Sequence, residues 1–210
     1  MRTIDPKPTR WLTPIALVFA LSACAQGGAS PPSAPKLSEL PQVVYRIDDH
    51  RYFELTPDET CFDNMLYFVD TAKGIRSEVV KFDAVMNRTT LIIDAANDQY
   101  LVAPVTRGGN TSCSSGGGAC GSDKMPYSTD GGRTWRLAWS PGNTYDLMAT
   151  GLTAYQSHRK GTITQGLDLT LSKPQSDDWK YLDDSFVFKP RIAPADTKVM
   201  CRARGNGSLK

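Results

Sequence analysis

Apolar and alternating runs of five to seven residues recur along the chain from Gln42 to Lys189: QVVYRI, RYFEL, MLYFV, SEVVKF, TLIID, QYLVAPV, RTWRLAW, YDLMAT, LDLTL and SFVFK. Clusters of Gly, Asn, Asp and Pro separate them. In RTWRLAW the residues Trp135, Leu137 and Trp139 fall on one face of an extended chain and Arg136 on the other, and LDLTL alternates in the same way. A period of two between turn residues predicts β-strands. Ile75 to Val85 is the one stretch that reads as a helix candidate, against the β preference of Val79, Val80 and Phe82. The expectation is a mainly β domain over residues 41–210: a single antiparallel domain, sandwich or partial-propeller-like, with few helices.

The chain before that domain has a different character. Arg2, Lys7 and Arg10 precede an apolar run from Trp11 to Ala23 that only Thr13, Pro14 and Ser22 interrupt. It falls short of the about 20 apolar residues of a membrane-spanning helix and reads as an export signal, residues 1–23. Leu21-Ser22-Ala23-Cys24 resembles the lipobox of bacterial lipoproteins, in which the cysteine carries acyl chains such as palmitate and becomes the first residue. The resemblance implies lipid attachment at Cys24 and a bacterial envelope protein. Ala25, in place of Asp, leans toward the outer membrane. Residues 24–40, rich in Pro, Gly, Ser and Ala, read as a tether. Removing the signal turns 24 basic against 22 acidic residues into 21 against 21, because Arg2, Lys7, Arg10 and Asp5 leave with it. A near-neutral domain offers no basic field for nucleic acid.

With Cys24 assigned to lipid, Cys61, Cys113, Cys120 and Cys201 remain, an even set in an exported domain and so two disulfides. Four cysteines allow three pairings; Cys113 with Cys120 is the most local, and Cys61 with Cys201 then joins the two ends of the domain. Zinc needs about four converging ligands, and Cys113 and Cys120 have no histidine near them. No Lys-Ser/Thr follows the glycines as in a phosphate-binding loop. A disulfide there compensates for Gly116, Gly117 and Gly118. The long loop from Arg107 to Lys124 reads either as a partner-binding element, with Arg107, Asn110, Ser114, Ser115, Asp123 and Lys124 at its surface, or as a tied-down insertion.

Ser128-x-Asp130-x-Gly132-x-Thr134-Trp135 is similar to the Asp-box of sialidases and other β-propellers, a structural turn away from catalysis. One Asp-box without repeats supports a hairpin only. No catalytic constellation stands out. His50, after Asp48 and Asp49, and His158 fall in turn sequences, no G-x-S-x-G elbow occurs, and Asp177-Asp178 and Asp183-Asp184 flank WKYL as loop-end residues. No catalytic residue, metal ligand or cofactor site is assigned. Tyr45, Tyr52, Tyr67, Tyr100, Trp135, Trp139, Trp179 and Tyr181 are candidates for a sugar or lipid groove, for a protein interface or for the core.

Two phrases, VVYRIDDHRYFEL (Val43 to Leu55) and LIIDAANDQYLVAPV (Leu91 to Val105), followed by the cysteine-bearing loop and preceded by the lipobox, resemble the Tli-type immunity lipoproteins that protect bacteria against type VI secretion phospholipase effectors. The resemblance covers roughly residues 41–120. It implies a periplasmic inhibitor that binds a lipase-type toxin through protein contacts and needs no catalytic group. An envelope lipoprotein with an aromatic glycan or lipid groove, and a small hydrolase, are the competing classes.

Overall fold

The computed structural model describes residues 40–56, 61, 64–82, 90–104, 124–139, 146–157 and 165–202, all within the unit Pro35–Lys210. Strands β1 (Gln42–Arg46), β2 (Arg51–Leu55), β3 (Asn64–Asp70) and β4 (Ile75–Phe82) pair in sequence order as an antiparallel meander. Asp48 turns the first hairpin, its Oδ1 accepting the N–H groups of His50 and Arg51 at 2.9 and 2.8 Å. Asp in this position mimics a backbone turn. The helix candidate at Ile75 is strand β4. Leu66 and Phe68 of β3 lie opposite Val80 and Ser77, and the register shifts between Leu66 and Tyr67 so that Val79 is the bulged residue. Side chains branched at Cβ suit a pleated surface, and here a neighbouring strand needs covering.

After β5 (Thr90–Ile93), the short β6 (Leu101–Val102), β7 (Lys124–Ser128) and β8 (Arg136–Trp139) form a three-stranded antiparallel sheet, ordered β6-β7-β8. Then β9 (Asp146–Thr150), β10 (Thr153–Ser157), β11 (Gln165–Asp168) and β12 (Lys180–Tyr181) build a five-stranded sheet ordered β12-β11-β10-β9-β5. One pair departs from the antiparallel expectation: β5 runs parallel to β9. Parallel neighbours need a long crossover, and the whole β6–β8 sheet supplies it. A single 3-10 turn, Ser176–Asp178, is the one helical element among the described residues.

SFVFK does not enter a sheet. Its alternation is real, with Phe186 and Phe188 half-buried and Val187 exposed. The two rings pack on Tyr155 of β10, at 4.9 and 5.6 Å between centroids, so the segment covers a sheet face rather than extending an edge.

The C-terminal segment closes two sheet edges at once. Ala195, Asp196 and Met200 donate to the carbonyls of Ile47, Arg46 and Val44 along β1, while Leu91 of β5 donates to Thr197 and Thr90 bridges Lys198. Cys201 then bonds to Cys61.

The two phrases that carry the family resemblance meet in the interior. Tyr45, fully buried, donates its hydroxyl to the Leu91 carbonyl at 3.0 Å and accepts the Ile93 N–H at 3.4 Å. Burial pushes its phenol well above the ordinary range, against the Ile93 hydrogen bond. Arg51 is buried too. Its guanidinium meets Asp48 Oδ2 through Nε at 2.7 Å and Nη2 at 2.6 Å, and donates to the Asn97 and Ala95 carbonyls at 2.5 Å each. Asp94, with no exposed side-chain surface, accepts from the Thr150 hydroxyl, from Arg191 Nε at 2.8 Å and from the Ala96 and Ile192 N–H groups. Burial alone would raise its pKa, but the Thr150 and Arg191 hydrogen bonds and those of the two amides outweigh it and hold the carboxyl far below the usual range.

Candidate partner-binding surface

The Asp-box residues fold into a turn between β7 and β8. Ser128 Oγ donates to Asp130 Oδ1 at 2.8 Å and accepts the Gly132 N–H at 2.9 Å. Asp130 also takes the Arg133 and Thr134 N–H groups at 3.0 and 2.9 Å, and the Thr134 hydroxyl at 2.6 Å. Burial would raise the Asp130 pKa, but the donors, Thr134 first, bring it below the ordinary value. Gly131 and Gly132 adopt φ of 72° and 83°, a region side chains rarely enter. A Cβ on Gly132 would also stand 2.2 Å from the Phe68 ring. Trp135 then turns inward. Its Nε1 donates to Ser77 Oγ and the Gly132 carbonyl, and its ring sits 5.8 Å from Phe53 and 5.7 Å from Phe68. The turn thus fastens the β7–β8 hairpin to the β1–β4 meander. It is an architectural device.

Because Trp135 belongs to the turn, the alternation of β8 starts afresh at Arg136. Ala138 faces the core opposite Met125, both fully buried. Leu137 and Trp139 point outward, 45% and 38% exposed, on the edge strand of the β6–β8 sheet. RTWRLAW therefore does not present one continuous Trp135-Leu137-Trp139 face.

Trp139 is held from two sides. The Lys124 ammonium stands 4.8 Å above its ring, and its carbonyl accepts the indole N–H of the buried Trp179 at 2.7 Å. Tyr127 reaches across from β7, donating its hydroxyl to the Leu171 carbonyl at 3.2 Å and drawing the segment 171–175 alongside the hairpin. Between hairpin and segment runs an open groove whose lining includes Arg136, Leu137, Trp139, Lys173, Pro174 and Gln175.

Of the residues assigned to partner binding from sequence, Lys124 is described, and it joins this surface. Arg107, Asn110, Ser114, Ser115 and Asp123 lie outside the described residues, as do Cys24, Cys113, Cys120 and His158. β6 ends at Val102 and β7 begins at Lys124, the residue paired with Trp139. Sequence reasoning missed Arg136, Leu137 and Lys173. The signal lay in the Asp-box, which ends on Trp135 and so resets the phase of the strand after it.

The other candidates are spent on the fold. His50 sits exposed in the Asp48 turn, its carbonyl accepting the Thr71 N–H. Asp178 accepts the Gln175 N–H and Asp183 the Ser185 N–H, each closing a turn. Among the described residues no three His, Cys, Asp or Glu side chains converge as metal ligands. The eight aromatics scatter. Tyr45 and Trp179 are buried, Trp135 and Tyr100 pack against the core, and Tyr52 and Tyr67 are half-buried beneath the guanidinium groups of Arg46 and Arg76. Trp139 and Tyr181 are the exposed pair.

No curated protein matches the chain. The family model described as the T6SS Tli3 immunity protein matches residues 38–165, more than half of the 210 residues. That span runs from the start of the meander to the first residue of β11 and contains both interlocked phrases and the Asp-box hairpin. The chain belongs to the Tli3 family of type VI secretion immunity proteins.

Proposed function

We propose that this protein is a lipid-anchored, periplasm-facing immunity protein, held more favourably at the outer than the inner membrane, that binds a lipase-type type VI effector and neutralises it without chemistry of its own. Family membership over residues 38–165 carries the reading. The lipobox ending at Cys24 supports the anchor and the side of the membrane on which a cell-wall-crossing toxin arrives. The exposed strand edge at Leu137 and Trp139 supports recognition by contact. The histidines and paired aspartates that competed as catalytic groups are, where described, turn residues.

The test is protection. A lipase-type type VI effector gene, sought beside this one, is expressed with an export signal, alone and beside the full-length immunity chain. Restored growth and suppressed phospholipid hydrolysis are the expected results. Full toxicity despite abundant, membrane-anchored protein would overturn the reading.

A further inference from the structure

We infer that the β8 edge is the effector-docking surface, and that its occupant is an acidic segment of the effector that seats an apolar side chain against Trp139 and Leu137. The inference rests on the immunity reading and assigns it a surface and a partner chemistry.

Three observations converge. First, the fold has no use for the side chains displayed here. Ala138 alone fills the core position of β8, whereas Leu137 and Trp139 are left in water. Arg136 is exposed beside them. Trp and Arg are the residue types over-represented where binding energy concentrates.

Second, Trp139 is held in place before any partner arrives. Lys124 stands over the ring, and Trp179 fixes the strand backbone that carries it through the Trp139 carbonyl. An anchor already restrained loses little further freedom on binding.

Third, the charged side chains that line the groove have one sign. Arg136 and Lys173 are the charged side chains lining the groove, Lys124 adds a third cation at Trp139, and among the described residues no carboxylate lines it. Asp178, further along the same segment, is turned onto the Gln175 N–H. A near-neutral domain with three cations gathered around an apolar strip is complementary to carboxylates flanking an apolar side chain.

The test uses the full mature chain and the effector against which it protects, with affinity measured by calorimetry at low and high salt. Trp139→Ala, and separately the exposed pair Arg136→Glu with Lys173→Glu, should each weaken binding at least about tenfold. The wild-type complex should weaken with salt, and the charge-reversed variant should lose most of that dependence. Tyr52→Ala, on the β1–β4 meander, should bind as wild type. Far-ultraviolet dichroism checks folding, and the charge pair keeps the test decisive should Trp139→Ala not fold. Wild-type affinity in both β8 variants would overturn the surface while leaving immunity intact. No binding by the wild-type chain would overturn both. A concentration-dependent dimer of the free chain that Trp139→Ala abolishes would give the surface to a second copy and overturn the effector assignment.

Discussion

The buried guanidinium of Arg51 donates to the main-chain carbonyl of Asn97, 46 residues along the chain, at 2.5 Å. Arg51 stands in the first of the two phrases that carry the family resemblance and Asn97 in the second, so the two phrases meet in a joint of the fold. Asn97 extends it, donating Nδ2 to the carbonyls of Tyr100 and Gly151 at 2.6 and 2.8 Å.

Arg51→Ala should cost about 3 kcal/mol, since it strands Asp48 and two carbonyls at a buried joint. Arg51→Lys should recover less than half of that, because one ammonium cannot replace a planar fork with three acceptors. Urea midpoints of the three proteins check this. Equal stability of the lysine variant and wild type would refute the joint.

Gly132→Ala should leave the domain insoluble or destabilised by more than about 3 kcal/mol, as it combines a left-handed backbone with a collision into Phe68. Asp130→Ala removes turn hydrogen bonds at a half-buried site and should cost about 1 to 2 kcal/mol. Thermal melts rank the two, and the reverse order would count against the fastening role of the turn.

Asp94 and Asp130 link stability to acid. Both carboxyls are held below their ordinary value when folded, Asp94 the more strongly. Unfolding returns them to about 4, so their stabilisation is complete above about pH 4 and is lost as pH falls toward the folded values. The Tm should be flat from pH 7 to about 5 and drop steeply below about 4. Asp94→Asn should lower the Tm at pH 7 and flatten the acid limb, and an unchanged limb would remove Asp94 as its source.

Strand positions could be read from the sequence where hydrophobic alternation was clean, as in β1 to β3, β5 and β9. Three strands escaped. KMPYS of β7 contains a proline in a central strand, which argues against a strand. It is tolerated because β6 stops at Val102, so Pro126 stands opposite Ala103, where only its carbonyl is needed. TAYQS of β10 carries a buried glutamine, satisfied by Gln165 across the ladder at 2.8 Å, a pairing that no local pattern announces. β12 spans Lys180–Tyr181 and is too short for any period. The candidate surface was legible at Lys124 and, among the eight aromatics, at Trp139; Leu137 escaped because period two defines two faces of β8 without saying which is wet.

The Cys61–Cys201 bond spans 140 residues. On the chain-entropy model its loss should cost roughly 5 kcal/mol, so Cys61→Ser with Cys201→Ser should melt far below wild type. A thiol-reactive mass label on unfolded mature protein should add nothing before reduction and four adducts after, with peptide mapping joining Cys113 to Cys120. Adducts on the unreduced chain would refute a two-disulfide domain.

Cys24→Ala should abolish acyl labelling and shift the domain away from the lipoprotein fraction. Metabolic labelling with a palmitate analogue reads this directly. Label retained on the variant would place the lipid elsewhere.

A load passed through the residues before Leu40 reaches the fold at β1. That strand is clasped on one side by β2 and on the other by the carbonyl contacts of residues 195–200, with the covalent Cys61–Cys201 bond beyond them. Force arriving at β1 is shared between β2 and the C-terminal segment, so two sets of ladder hydrogen bonds resist it together. On the proposed anchored reading, a pull on a bound partner would be met at β1 by contacts from both parts of the chain.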